Sequence, residues 1–398
     1  MTAKTQTPRR ILAVHQGYEL YGSDRTFISS LQAFRQSFPT AQIKVILPRD
    51  GLLLQELQRL GFEVELSRLW IARKANGLLG NLLLALAFPA YLFRAWRMMN
   101  AACVTYINTS VVFDYAIAAR LTRRPSLLHI HEIPTGFARK VIRTIARLSG
   151  ATLIFNSEAT KLAFEPLGRQ PNALILNGVP DTARSSSRDI RDGDRVRILM
   201  IGRINDWKGQ DLLVEALARL PADIAERTEL RLLGSAFENG PAERQLKSQI
   251  EALGLTCSIR MEGFVEDPSE AFEWSDFIVV PSRKPEPFGL VAVEAMMHRR
   301  AVIGASHGGL MEIIVDGETG LVFKPNDAEA LASTIRRAAE DRQSTTEMGT
   351  RGRARFEARF SLERYQRQLA KVVETALAKD RPRNKAPAMA SGGVESRS

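Results

Sequence analysis

PSRKPEPFGLVAVEAMMHRRAVIGASHGGLMEIIVDGETGLVF, residues Pro281–Phe323, is the stretch whose reading decides the fold. It follows an apolar run, Phe277–Val280 (FIVV), that reads as a buried strand. A proline-rich loop comes next and carries Glu286, which Pro285 and Pro287 keep out of any helix. From Phe288 the sequence FGLVAVEAM turns helical, with Glu294 on the second turn. One carboxylate thus sits ahead of a helix N-terminus, and the free N–H groups near Phe288, Gly289 and Leu290 can face an anion. The second carboxylate lies just over a turn further along. Such a layout suits a ligand with phosphate in its middle and hydroxyl-bearing rings at both ends, the description of a sugar nucleotide.

The run EPFGLVAVE, a Glu-x7-Glu, followed by GGLMEIIVDGETGLVF, resembles the retaining glycosyltransferases of family 4, which have the GT-B fold. That fold is α/β, two doubly wound Rossmann-like domains facing a central cleft. By this resemblance Glu286 contacts the donor sugar's hydroxyls and Glu294 holds the nucleotide ribose. The glycines, the spacing and the preceding strand agree with the family over a long run, so the resemblance does not hang on two carboxylates.

The 398 residues suffice for two to three domains, and 45% apolar with 25% charged content is ordinary for a globular chain. Cys103 and Cys257 lie far apart without a Cys-x-x-Cys, so neither a disulfide framework nor a zinc site is expected. The N-terminal MTAKTQTPRRILAVHQG is basic but too short in apolar residues for a signal-peptide core, and a cytoplasmic location is expected. Net charge is +11, concentrated in the first half: Arg68 to Arg147 holds twelve basic residues against two acids, Asp114 and Glu132. Such a patch implies an anionic partner.

Taken in order, RRILAVHQG reads as a strand, GYELYGSDRTF as a glycine-bearing loop and FISSLQAFRQSF as a helix. Strand, loop and helix make a phosphate-facing unit. The spacing Gly17-x4-Gly22 is that of a P-loop, but Ser23 stands where a Walker lysine is needed. By resemblance Gly22 approaches the donor; the alternative is a plain turn. LLGNLLLALAFPAYLF, Leu78–Phe93, is short of a membrane span and has Pro89 near its end. It reads either as a buried core helix or as a helix lying in the membrane interface. In SLLHIHEIP, a period of two puts His129 and His131 on one face. The resemblance points to His131 as the histidine aimed at the donor sugar, with His129 structural.

ATLIFNSEAT and NALILNGV add two more strands, completing the alternation of a doubly wound sheet. The polar stretch PDTARSSSRDIRDGDR reads as a linker. Its Asp192-Gly193-Asp194 precedes a strand instead of following one, so it reads as a solvated turn and no metal site is expected. VRILMIGRINDWKGQ places Arg203 at a strand end and Lys208 before a helix, two cations suited to a pyrophosphate and resembling the family's Arg-x4-Lys pair. Phe264 and Val265, in IRMEGFV, match the family's base-proximal loop. DAEALASTIRRAAED and SLERYQRQLAKVVETALAK read as helices, the last crossing back to the first domain in this family. The expected division is 1–181 for the acceptor-binding domain, 182–195 for the linker and 196–360 for the nucleotide-sugar-binding domain. The returning helix is 361–379 and the tail is 380–398.

These readings converge on retaining, metal-independent transfer of a hexose from a nucleotide diphosphate sugar, with no cofactor. The basic first half, with a Leu/Ala-rich helix and few interleaved aromatics, favours an anionic membrane surface and a lipid-linked saccharide acceptor over nucleic acid. Polysaccharide or lipopolysaccharide assembly at the inner face of the membrane follows by analogy. The competing classes are a nucleotide-sugar epimerase, a phosphorylase and a non-catalytic sugar-nucleotide-binding module.

Overall fold

The computed structural model describes residues 10–71, 77–183, 195–236 and 240–379. Asp192–Asp194 and the tail from 380, together with Arg73 and Lys74, lie outside them, and side chains are described from Ala85 onward in the helix that begins at Gly77.

Two parallel sheets organise the molecule. The first contains β1 (Arg10–Val14), β2 (Gln42–Leu47), β3 (Glu63–Leu66), β4 (Val104–Ile107), β5 (Ser126–Ile130), β6 (Thr152–Phe155) and β7 (Asn172–Leu174), in the order β3-β2-β1-β4-β5-β6-β7. The second contains β8 (Val196–Ile201), β9 (Thr228–Leu233), β10 (Ile259–Gly263), β11 (Phe277–Val280), β12 (Ala301–Ala305) and β13 (Gly320–Phe323), in the order β10-β9-β8-β11-β12-β13. Every strand pairing is parallel, Ile11 opposite both Ile43 and Val104, and Phe277 opposite both Ile198 and Ala301. Strands such as FIVV and AVIGA are buried at every residue, as parallel strands covered on both faces must be.

Helices α1 (Gly22–Ser37), α2 (Leu52–Arg59), α3 (Gly77–Asn100), α4 (Phe113–Leu121), α5 (Gly136–Leu148) and α6 (Glu158–Phe164) cover the first sheet. Around the second lie α7 (Gln210–Leu217), α8 (Ala222–Ala225), α9 (Pro241–Ala252), α10 (Ser269–Trp274), α11 (Leu290–Met297), α12 (Leu310–Ile313), α13 (Ala328–Glu340) and α14 (Arg342–Arg359). The last helix, α15 (Leu362–Lys379), returns: Tyr365, Leu369 and Val373 are buried in the same cluster as Ile11, Phe27 and Phe34 of the first domain.

In each sheet the strand order reverses at one point, between β1 and β4 and between β8 and β11. A doubly wound sheet opens a crevice there, beyond the carboxyl ends of its strands. The chain leaving β1, β8 and β11 carries Tyr21 and Gly22, Arg203 and Glu286, which line one cavity, so the two crevices face one another with these groups between them.

The helix that contains the apolar stretch Leu78–Phe93 is longer than that stretch: Pro89 lies inside it, and α3 continues to Asn100. The missing N–H of a proline removes one hydrogen bond, and burial of Ala95 and Met99 among Leu12, Ile107 and Tyr115 holds the segment beyond it helical.

Candidate functional site

A cavity of about 490 Å³ lies between the two domains. The first domain supplies Tyr21, Gly22, Arg25, His131, Asn156 and Asn177; the second supplies Arg203, Lys208, Val265, Glu286, the segment Phe288–Val291 and Glu294. All ten residues singled out from the sequence line it: Gly22, His131, Arg203, Lys208, Val265, Glu286, Phe288, Gly289, Leu290 and Glu294.

The segment Phe288–Glu294 is shaped by Gly289, the N-cap of α11, at φ +118°. A side chain is strained at that φ, and a Cβ would also lie 2.7 Å from Leu310 Cδ2. The chain therefore turns sharply into the helix, and the first N–H groups of α11 open on the cavity. The amides of Leu290 and Val291 have no hydrogen-bond acceptor among the described residues, whereas Ala292 N–H already donates to the Gly289 carbonyl at 3.0 Å. Positive helix-end charge and unused donors together suit an anion.

Glu286 sits in the loop after β11, 5% exposed. A buried carboxylate requires partners. It has two: Lys208 Nζ at 2.7 Å and the Ser282 hydroxyl, which donates to the same oxygen. Arg203, leaving β8, pairs with Glu19 of the first domain and lies over the Tyr21 ring at 3.9 Å. The two expected phosphate cations are thus engaged with carboxylates, and an incoming diphosphate would exchange with them. Phe264 is 42% exposed and edges onto Tyr21 at 5.9 Å between centroids.

His131 follows β5, and its ring nitrogens are both in use. Nε2 is 2.9 Å from Asn108 Oδ1, and Asn156 Nδ2 donates to Nδ1 at 3.3 Å. Burial, with His129 and His15 nearby, holds its imidazole well below the ordinary histidine range, so it is neutral. His129 stands 4.0 Å away, centroid to centroid, on the same face of β5; its Nδ1 meets the Tyr106 hydroxyl at 2.6 Å. Burial pushes His129 down to about 3, in keeping with a structural part.

Several residues around the cavity carry no sequence signal of their own. Glu19, Arg25, Asn108, Asn156 and Asn177 are polar residues in loops or on a helix, and only the folded chain collects them. Asn156 and Asn177 are each 3% exposed, and their side-chain oxygens lack a hydrogen-bond partner among the described residues. Both residues line the cavity, with these oxygens themselves enclosed. Gly17 does not line the cavity, but a Cβ there would lie 1.9 Å from Asp24 Oδ1, inside the buried His15–Asp24 pair that holds the β1–α1 loop at 2.7 Å. No group of three or more metal-ligating side chains occurs among the described residues.

Residues 183–355 match the family model of the glycosyl transferases of group 1, which ties the second domain to that family. The chain is 35% identical over 177 residues to the D-inositol 3-phosphate glycosyltransferase of Geodermatophilus obscurus, covering 43% of this chain and 38% of that protein. It is 33% identical over 218 residues to the lipopolysaccharide core biosynthesis mannosyltransferase LpcC of Rhizobium leguminosarum, covering 53% of this chain and 62% of that one. The matches thus span about two fifths to three fifths of these curated relatives. Among solved structures, Anabaena Alr3699/HepE in complex with UDP and glucose superposes with a TM-score of 0.78 at 26% identity, over 92% of this chain and 99% of that chain. With two doubly wound parallel sheets around one cleft, the fold is GT-B.

Proposed function

From a second domain of the group 1 glycosyl transferase type, we propose that the chain transfers a hexose from a nucleotide diphosphate sugar to a saccharide acceptor, with retention at the anomeric carbon. The observation that carries this reading is the convergence in one cleft of two carboxylates, two cations and a helix N-terminus with unused N–H groups. The leaving nucleoside diphosphate gains negative charge as the glycosidic bond breaks. Arg203, Lys208 and the amides of Leu290 and Val291 would stabilise it, donors aimed where charge develops and screened little by water. That supply of positive charge supports transfer without a metal. Glu286, freed from Lys208 as the cation turns to phosphate, would accept from sugar hydroxyls, and Glu294 from the ribose. Neutral His131 would form the first-domain wall of the sugar subsite, held by its two asparagines. The retaining mode rests on the resemblance to family 4.

Alr3699/HepE was solved with UDP and glucose, and LpcC is a lipopolysaccharide core mannosyltransferase. UDP-glucose and GDP-mannose are therefore the first donors to try, and lipid-linked saccharides the first acceptors. The test couples binding to turnover. Glu294→Gln should weaken free nucleoside diphosphate about tenfold, as expected for loss of a charged hydrogen bond. Glu286→Gln should spare that binding and slow transfer, and EDTA should leave the wild-type rate unchanged. Equal losses of nucleotide binding in both variants would show the two roles misassigned. Transfer abolished by chelation and restored by magnesium would overturn the account of the leaving group. A module that binds nucleotide sugar without turning over any acceptor would favour the non-catalytic alternative.

A further inference from the structure

Arg25 belongs to the first turn of α1 in the first domain, yet its guanidinium reaches the second. Nη1 lies 3.4 Å from Glu294 Oε1, and Nη2 donates to the Glu266 carbonyl at 3.1 Å. Glu294 is the one polar residue of α11, LVAVEAMM, and its side chain is 13% exposed. Burial raises the carboxyl above its ordinary range, and Arg25 opposes that shift. Other ionisable groups near the pair are Glu266 and Asp267 in the loop after β10 and His298 at the end of α11. The His298 imidazole is pushed down to about 4 by burial and so carries no charge at neutral pH. Arg25 therefore supplies the positive charge that faces Glu294.

The pair has a second property. Arg25 and Glu294 both line the 490 Å³ cavity and also an adjoining one of about 330 Å³, bordered by Ser29, Gln32, Thr182 and Ser269. They form part of the wall between the two. Breaking the pair would remove a contact between the domains and open the ribose side of the cleft at once.

We propose that Arg25 is a positioning residue of the ribose subsite, crossing from the first domain to hold the Glu294 carboxylate oriented and ionised for two ribose hydroxyls. This rests on the reading of Glu294 as the ribose ligand. An ionised carboxylate offers about four lone-pair sites on two oxygens, enough for one guanidinium N–H and both hydroxyls of a vicinal diol. Without Arg25, burial favours the protonated acid, which loses acceptor capacity and must itself find an acceptor. The ribose subsite would then be complete only when the two domains are in contact.

The experiment is calorimetric titration of the full chain with UDP and with GDP from about pH 6 to about pH 8, for wild type, Arg25→Gln, Arg25→Lys, Glu294→Gln and the Arg25→Gln/Glu294→Gln double variant. Arg25→Gln should weaken the nucleoside diphosphate about tenfold near pH 7. Its affinity should fall more steeply than that of wild type as pH drops, because protons compete for Glu294. Arg25→Lys should recover part of the loss. The double variant should be no weaker than Glu294→Gln alone, since the two residues act as one unit. Thermal melts of each variant check folding. If Arg25→Gln binds like wild type at every pH, or adds its full loss on the Glu294→Gln background, the positioning role is overturned. If Glu294→Gln itself binds like wild type, the ribose reading fails, and the inference with it.

Discussion

At the scale of single residues, the cleft is a set of charges already paired before any ligand arrives. Arg203 is held by Glu19, Lys208 by Glu286 and Glu294 by Arg25. Two of these pairs join the first domain to the second, and a third contact does the same: Glu312 accepts from the amides of Glu158 and Ala159 at 2.8 and 2.9 Å. A diphosphate that takes Arg203 must displace a carboxylate, so part of its binding energy is spent on the exchange. Glu19→Gln should therefore tighten free nucleoside diphosphate by about two- to fivefold, the value of a partly exposed ion pair. The sign is opposite to that expected at a ligand-contacting residue. Weaker binding in this variant, measured by calorimetry, would mean that Glu19 helps to hold the nucleotide and does not compete with it.

At the scale of elements, α14 shows how packing can escape a reading of apolar periodicity. Its buried residues are Thr345, Met348, Gly349, Gly352 and Phe356, a helical stripe made largely of Thr and Gly. A Cβ at Gly349 would lie 2.2 Å from the Arg299 carbonyl oxygen, so the helix seats itself against the end of α11 through its lack of side chain. No apolar pattern marks residues 342–359, and the sequence reading assigned no helix there. A second case concerns α4. Asp114 lies in its first turn, where a carboxylate is favoured, but it is 2% exposed and receives the Trp70 N–H at 3.3 Å. Burial raises its carboxyl to about 7, with that amide and Arg94 opposing. The folded state thus keeps a proton that the unfolded chain has released, and stability from this group is lost as pH rises from about 4 to about 7. Asp114→Asn removes the titration. Its stability relative to wild type, read from urea unfolding, should grow over that pH range and then level off; a difference constant with pH would place the ionised carboxylate in the fold.

At the scale of the whole molecule, two helices of the first domain carry both basic and exposed apolar side chains. Leu86, Phe93 and Phe137 are 72%, 62% and 80% exposed, on α3 and at the start of α5. Arg94, Arg97, Arg139, Lys140 and Arg143 belong to the same two helices. No helix among the described residues is long and apolar enough to cross a membrane. The proposal is that these two helices rest on an anionic leaflet and that the chain meets a lipid-linked acceptor there. Each basic residue near such a surface contributes about 1 kcal/mol, screened by salt, and inserted apolar side chains add a part that salt does not screen. The chain should sediment with anionic vesicles, weakly with neutral ones, and be released only in part by high salt. Arg94, Arg97, Arg123 and Arg124 changed together to Gln should lower vesicle binding while nucleotide binding stays intact. Sedimentation indifferent to lipid charge would assign the arginines to solubility or to an acidic acceptor.

The sequence by itself determined the alternation of strand and helix and the stretch Pro281–Phe323 with its two glutamates. It also picked out ten residues that line one cleft: the two glutamates, Phe288–Leu290, Arg203 and Lys208 through local signals such as a proline pair, a glycine before a helix and cations at a strand end, and Gly22, His131 and Val265 only through the resemblance to family 4. The helix start after Phe288 and Gly289 was legible from a local signal, since a helix start exposes its amides whatever surrounds it. What only the tertiary structure decided is which groups face one another. Glu19 and Arg203 are 184 residues apart, and Arg25 and Glu294 are 269 apart. Ion pairs of that separation exist because two sheets with reversed strand order open their crevices toward each other, and no residue spacing records that. The tautomer of His131 belongs to the same class, being set by Asn108 and Asn156 at the ends of neighbouring strands. Local chemistry was written in the chain, while partner choice waited on the closure of one domain over the other.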